Sequence, residues 1–262
     1  MKKYIYIYKA TLIENLQYIM NILLGFISFF ILLFIFLNLW EYIYSDTVSI
    51  SGYSMNQMVW YVIITEIMWF GARNRTLTNQ ISNDIKSGTI AYGINKPYNY
   101  MFYIVSKHMG EITIKFFLFL TAGIFLGFSF AGGLYDFQIR FIPLIIMVTF
   151  TGVLINSLIR ISISVLSFWI EDSGPFHWIY DKLIIVVGTL FPIEVFPVWI
   201  QPFIKCTPIF VVTYGPAKLV IDFSMDMFFK VFAVQLIYLV VTIFLLAVLF
   251  RRGVKKLNVN GG

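Results

Sequence analysis

From Asn15 to Trp40 the chain carries no charge, and the centre of that run, Ile22 to Leu37, reads ILLGFISFFILLFIFL. A helix needs roughly 20 mainly apolar residues to cross a hydrocarbon core of about 30 Å, and this run supplies more. It is too long for the apolar stretch of a signal peptide, and Trp40-Glu41-Tyr42 follows where a small-residue cleavage site would stand. The rest of the chain is built alike. Of 262 residues, 12% are charged, against roughly 25% in soluble domains, while 60% are hydrophobic and 19% aromatic. A soluble fold could not hide so much apolar surface behind so few charges, so lipid must cover it.

Reading the uncharged stretches as crossings gives six spans, at 22–42, 55–72, 112–134, 141–169, 176–192 and 230–250, in an all-α polytopic membrane protein. The second is only moderately apolar and contains Glu66; the fifth is the weakest; the last is stopped sharply by Arg251 and Arg252. With the N-terminus inside, all of the 19 Lys and Arg except Arg140, Lys205, Lys218 and Lys230 fall on the cytoplasmic side, and the first outer loop has none. This places both termini in the cytoplasm and the multi-pass chain in a cell membrane, a bacterial inner membrane or a plasma membrane. The net charge of +6 then follows from topology, and no nucleic-acid partner is needed to explain it. One cysteine, Cys206, leaves no internal disulfide to form.

Three segments do not read as plain spans. Residues 1–20, with KKYIYIYKATLIENLQYIM, mix Tyr, Lys and aliphatic side chains in the manner of a helix lying at the headgroup level, in contact with membrane lipids. The loop 76–98 is longer than a connector needs to be. Ile81 and Ile85 share a helix face, Gly88 sits at a C-cap, and Pro97 stops a second short turn carrying Ile90 and Ile94. Two readings of those exposed Ile side chains stand level: docking on a partner at the inner face, or folding back on the bilayer surface. The third segment, 192–216, holds Pro192, Pro197, Pro202, Pro208 and Pro216 among Phe196, Trp199, Phe203, Phe210 and Tyr214. Proline removes amide donors and clashes with the preceding turn, so broken helices are expected there, shielded by protein at the outer face. They fit an outer gate or a passive lid, and on these residues the lid comes first.

No G-x-x-x-x-G-K-[ST] or H-E-x-x-H occurs. His108 and His177 read as interfacial residues, and Glu66, Glu111 with Lys115, and Arg160 lie toward the cytoplasmic side, where snorkelling or local pairing accounts for them. The acid pairs that a proton-driven carrier places at mid-membrane are missing. Arg160, farthest into the bilayer, is the candidate for a side chain facing a polar cavity. The main rival class is a membrane-embedded enzyme acting on a lipid or isoprenoid, for which Glu171, Asp172 and Asp181 form the one local acidic group.

The run Asp84-Ile85-Lys86-Ser87-Gly88-Thr89-Ile90, followed by Ile94 and Pro97, resembles the element after the second span in permease subunits of type-2 ATP-binding-cassette (ABC) exporters. Phe191-Pro192, Phe196-Pro197-x-Trp199-Ile200, Pro208 and Tyr214-Gly215-Pro216 resemble that family's outer re-entrant element, and Ser167-Phe168-Trp169 resembles a subgroup's Ala-Phe-Trp, with Ser in first place. The resemblance implies a permease paired with a second permease, a homodimer or a sister subunit, on a cytoplasmic ABC ATPase dimer. No cofactor is then expected on this chain, and ATP and Mg belong to the partner. The family's coupling helix corresponds to Ile81, Asp84, Ile85, Gly88, Thr89, Ile90, Ile94 and Pro97. Its outer gate corresponds to Pro192, Phe196, Pro197, Trp199 and Tyr214, which turns the reading of 192–216 from lid to gate.

Overall fold

The computed structural model describes residues 2–17, 19–46, 48–134, 137–170 and 172–260; Met1, Tyr18 and Glu171 lie outside them. The described backbone is helical, its one strand-like feature an isolated bridge between Ile50 and Tyr53. The helices are α1 (Lys2–Gln17), α2 (Ile19–Tyr44), α3 (Met55–Ala72), α4 (Arg75–Lys86), α5 (Ile90–Ile94), α6 (Tyr100–Phe130), α7 (Ile142–Val165), α8 (Gly174–Leu183), α9 (Gln201–Lys205), α10 (Gly215–Ile221) and α11 (Met225–Asn260). A π-helical stretch, Ile184–Leu190, continues α8 without a break, and another, Phe210–Tyr214, leads into α10.

Among the described residues, four segments are long and apolar enough to cross a membrane: Leu24–Tyr44, Tyr100–Phe130, Ile139–Phe168 and Met225–Lys256. They present large apolar side chains outward, among them Phe34, Phe125, Phe150 and Phe244. The second of the six expected spans, α3, is not of this kind, and the reason is its position. It is packed on by α2, α6, α7, α10 and both π stretches, and nearly everything from Met58 to Ala72 is buried. A helix lined by protein can carry Asn56, Gln57, Thr65 and Glu66 that a lipid-facing helix could not. α3 begins in a capping box, with Gln57 N donating to Ser54 Oγ and Ser54 N donating to Gln57 Oε1 at 3.0 Å.

Close approach fixes α6 against α3. A Cβ on Gly123 would stand 2.5 Å from Ile67, one on Gly127 2.5 Å from the Trp60 ring, and one on Gly71 2.7 Å from Phe116. Small residues at helix contacts allow such approach where lipid supplies no hydrophobic drive between helices. α6 begins at Tyr100, earlier than the expected span, because the Asn99 side chain accepts from Met101 N and Phe102 N and starts the helix just past Pro97. α1 lies along the start of α6. Lys3 Nζ donates to Pro97 O at 2.8 Å, Asn99 N donates to Tyr4 Oη at 2.9 Å, and Gly110 gives room for the backbone of Tyr8.

Candidate functional site

The two ends of α3 carry the molecule's polar constellations. At its C-terminal end Arg73 is extended, and Asn74 caps α4 by accepting from Leu77 N at 3.1 Å. Leu77, Ile81 and Ile85 recur every four residues along α4, and with Ile90 they are buried against Leu158, Ile161 and Val165 of α7, Tyr100 and Ile104 of α6, and Leu246 of α11. This corrects the expectation that the Ile side chains are exposed. The four-residue spacing did make one face, but that face turns into the bundle, where each Ile gains about 1.5–3 kcal/mol of burial.

The bend after α4 is set by Gly88, whose φ of 75° is open to glycine at no steric cost. A Cβ there would meet nothing within 4 Å, so conformation alone makes the demand. Gly88 N donates to Ile85 O at 3.2 Å, and Thr89 Oγ1 donates to Asp84 Oδ1 at 3.2 Å and shares a 2.9 Å hydrogen bond with Ser87 Oγ. The acid, the glycine and the threonine of the sequence motif thus each hold one part of a single turn. Lys86, Thr89, Asn95 and Pro97 are exposed on its outer rim, Ile94 is half-buried, and Tyr92 is 77% exposed.

Beneath this hairpin lies an ion cluster. Asp181 on α8 is ion-paired with Arg160, Oδ1 to Nη2 at 2.8 Å but out of hydrogen-bond alignment, and with Arg73, Oδ2 to Nη2 at 2.9 Å, with Arg75 Nη2 at 3.7 Å. Arg160 Nε donates to Asn156 Oδ1 at 3.2 Å, Tyr180 Oη donates to the same atom at 3.0 Å, and the guanidinium lies over the Tyr180 ring. Arg160 is 2% exposed. Asp181 is its ion-pair partner within the packed bundle. Ser164 Oγ meets His177 Nε2 at 3.0 Å, and Ser82 Oγ on α4 meets Ser173 Oγ at 2.6 Å. Asp172 accepts from Gly174 N at 2.9 Å and lies 3.8 Å from Lys86, so the acids Asp172 and Asp181 are spent on a helix start and on cations. Glu171 is outside the described residues.

Local pairing does not account for every other charge. Glu111 is held by Asn74 and by Lys107 at 3.8 Å, and Lys115 donates to Arg73 O at 2.7 Å. Glu66 and His108, however, are fully buried, and neither has a side-chain hydrogen-bond partner among the described residues. They do not snorkel.

The opposite end of α3 is built from hydroxyls and carbonyls. Tyr61 Oη donates to Gly188 O at 2.8 Å, Tyr44 Oη donates to Tyr53 O at 2.8 Å, and Tyr214 Oη donates to Glu194 Oε1. Burial first, and then neighbouring Glu194, pushes the Tyr53 phenol up from its ordinary value, and the Lys218 ammonium stands over its ring. The segment 192–216 is broken into a 3-10 turn, α9 and a π stretch, and Gln235 on α11 ties it down by donating to Val211 O at 2.9 Å. Of the proposed gate residues, Pro192 and Tyr214 are buried and Phe196 is half-buried against Phe191. Pro197 is exposed and Trp199 is 72% exposed. The five residues therefore do not meet at one point.

Sequence reasoning missed Asp181 as the partner of Arg160. The signal was present: it is the one acid between Asp172 and Glu194, in a stretch otherwise apolar enough to be read as a span. Compared with known families, the chain matches the one described as ABC-2 family transporter protein over residues 29–261, which takes in everything from α3 to α11. No curated protein matches it.

Proposed function

The chain belongs to the ABC-2 transporter family and is a multi-pass membrane permease subunit of an ABC transporter, and from that premise we propose that it exports a drug, peptide, lipid or other amphipathic substrate, powered by separate cytoplasmic ATPase subunits. In this reading α2, α3, α6, α7, α8 with its π continuation, and α11 are the six spans. α1 lies at the inner interface among membrane lipids, and both termini are cytoplasmic, in the bacterial inner or plasma membrane. A second permease, identical or a sister chain, completes the path. ATP and Mg are bound by the ATPase dimer.

One observation carries the proposal. The α4–α5 hairpin spends its apolar side chains on the bundle and keeps its polar rim outside, so Ile81, Ile85 and Ile90 anchor it while Lys86, Thr89 and Tyr92 are exposed to a partner. A push on that rim is delivered to α6, α7 and α11 because the contact is close-packed. Asp84, Gly88 and Thr89 keep the turn stiff, and Ile94 and Pro97 close it. The residues 192–216 form the outer re-entrant gate, with Pro192 and Tyr214 as its fixed root and Phe196, Pro197 and Trp199 as its edge. Replacing Tyr92 by Ala and Lys86 by Glu together is expected to lose the ATPase from the purified complex while the permease still accumulates in the membrane. Undiminished recovery of the ATPase would sink the coupling assignment.

A further inference from the structure

Asp181 is buried away from the hairpin's rim, yet it touches the first residue of α4, the residue that caps α3 and the last turns of α7 at once. Its own helix then runs on through the π stretch to Leu190. We propose that Asp181 is a positioning residue that joins the α4–α5 hairpin to the 192–216 element, converting a displacement of the hairpin into a displacement of the π stretch. The proposal rests on the coupling reading above.

The connection can be followed atom by atom. Arg73 and Arg160 take one carboxylate oxygen each, so the carboxylate is held from two sides, and Arg75 stands as a third, longer contact within reach. From Asp181 the helix rises about 10 Å over seven residues to Gly188. There Gly188 O accepts from Tyr61 Oη, and a Cβ on Gly188 would stand 2.4 Å from Thr213 Oγ1, in the π stretch that precedes α10. Gly188 is therefore wedged between α3 and the root of the 192–216 element, and it cannot shift along its helix without moving Thr213. An apolar joint at Asp181 would let α8 slide past α7. Ion pairs in a weakly polar interior have discrete optima, so the joint transmits movement or breaks.

The probe is already in the chain. Cys206, its single cysteine, is exposed at the end of α9. The permease, assembled with its ATPase in nanodiscs, where both faces are reachable, is labelled with a maleimide without nucleotide and with ATP plus vanadate. In the wild type the labelling rate is expected to change severalfold with nucleotide. In Asp181→Asn that change is expected to vanish with the ATPase still bound, and Asp181→Glu is expected to restore part of it, which a residue needed only for folding would not do. A wild-type response in Asp181→Asn overturns the joint. If Asp181→Asn does not accumulate, Arg75→Gln, which removes only the longest contact from a side chain 65% exposed, is expected to halve the response, and an unchanged response overturns the joint. A wild-type complex that retains its ATPase but shows no change at Cys206 overturns the joint and leaves the docking site standing. A wild-type permease that fails to retain the ATPase overturns the docking reading and the joint with it.

Discussion

The two ends of α3 hold the same bundle together by different chemistry. At the α4 end, one buried carboxylate meets the guanidiniums of Arg160 and Arg73, with the exposed Arg75 at a longer distance. At the other end, tyrosine hydroxyls donate to backbone carbonyls and one carboxyl, in a segment whose helices are short and partly π. The net worth of a hydroxyl–carbonyl bond is modest, and its loss is easily repaired. A buried charge that loses its partner cannot be repaired without water. The comparison teaches that the ends are unequal in stiffness: one is built to stay in register, and the other to yield.

That inequality can be broken or sharpened by four measurements. Asp181→Ala, which strands Arg73 and Arg160, is expected to cost about 3–5 kcal/mol; a thermal midpoint in detergent within a few degrees of wild type would make the two ends equal. Ile81→Ala empties a site in the hairpin's anchor and is expected to cost about 2–5 kcal/mol, against less than about 0.5 kcal/mol for Tyr92→Ala on the rim. Denaturation of both variants side by side checks this, and equal losses would mean that the rim is also anchor. Gly88→Ala forces a side chain into a left-handed backbone at an expected cost of about 1–2 kcal/mol, seen as faster amide exchange confined to residues 84–92. Tyr61→Phe removes one donor from Gly188 O and is expected to cost about 0.5–1.5 kcal/mol. A loss as large as that of Asp181→Ala would reverse the ranking of the two ends.

How much of this was legible beforehand divides along the same line. The coupling turn is local: Asp84, Gly88 and Thr89 lie within six residues and act on one another, so their pattern was readable in order along the chain. The direction of the α4 face was not readable, because Ile81 and Ile85 set only that a face exists, and α7 and α11, 70 or more residues away, decide what covers it. The apolar outer helices α2 and α11 announced themselves by composition. α3 was found by its length and by its Arg73 boundary, while its central position depends on Gly123 and Gly127 of a later helix. Asp181 was visible only as a member of the acidic group with Glu171 and Asp172, and Arg160 as a base deep in its span, but pairing them needed α7 and α8 side by side. Tyr44 and Tyr61 carried no pattern, since a backbone carbonyl as acceptor leaves no mark on the sequence, and Tyr214 was legible only through the Tyr214-Gly215-Pro216 run.

The burial of α3 also bears on how the chain is made. A helix with Asn56, Gln57, Thr65 and a Glu66 that has no side-chain hydrogen-bond partner among the described residues would partition less readily into lipid by itself than the apolar α2 or α11. α3 is therefore expected to settle in the bilayer only beside α2 and once α6 emerges with the glycine slot that receives Ile67 and Trp60. Filling that slot, as Gly123→Leu would, should surface first as a topology defect during synthesis, with α3 left outside the membrane, and only second as a loss of transport.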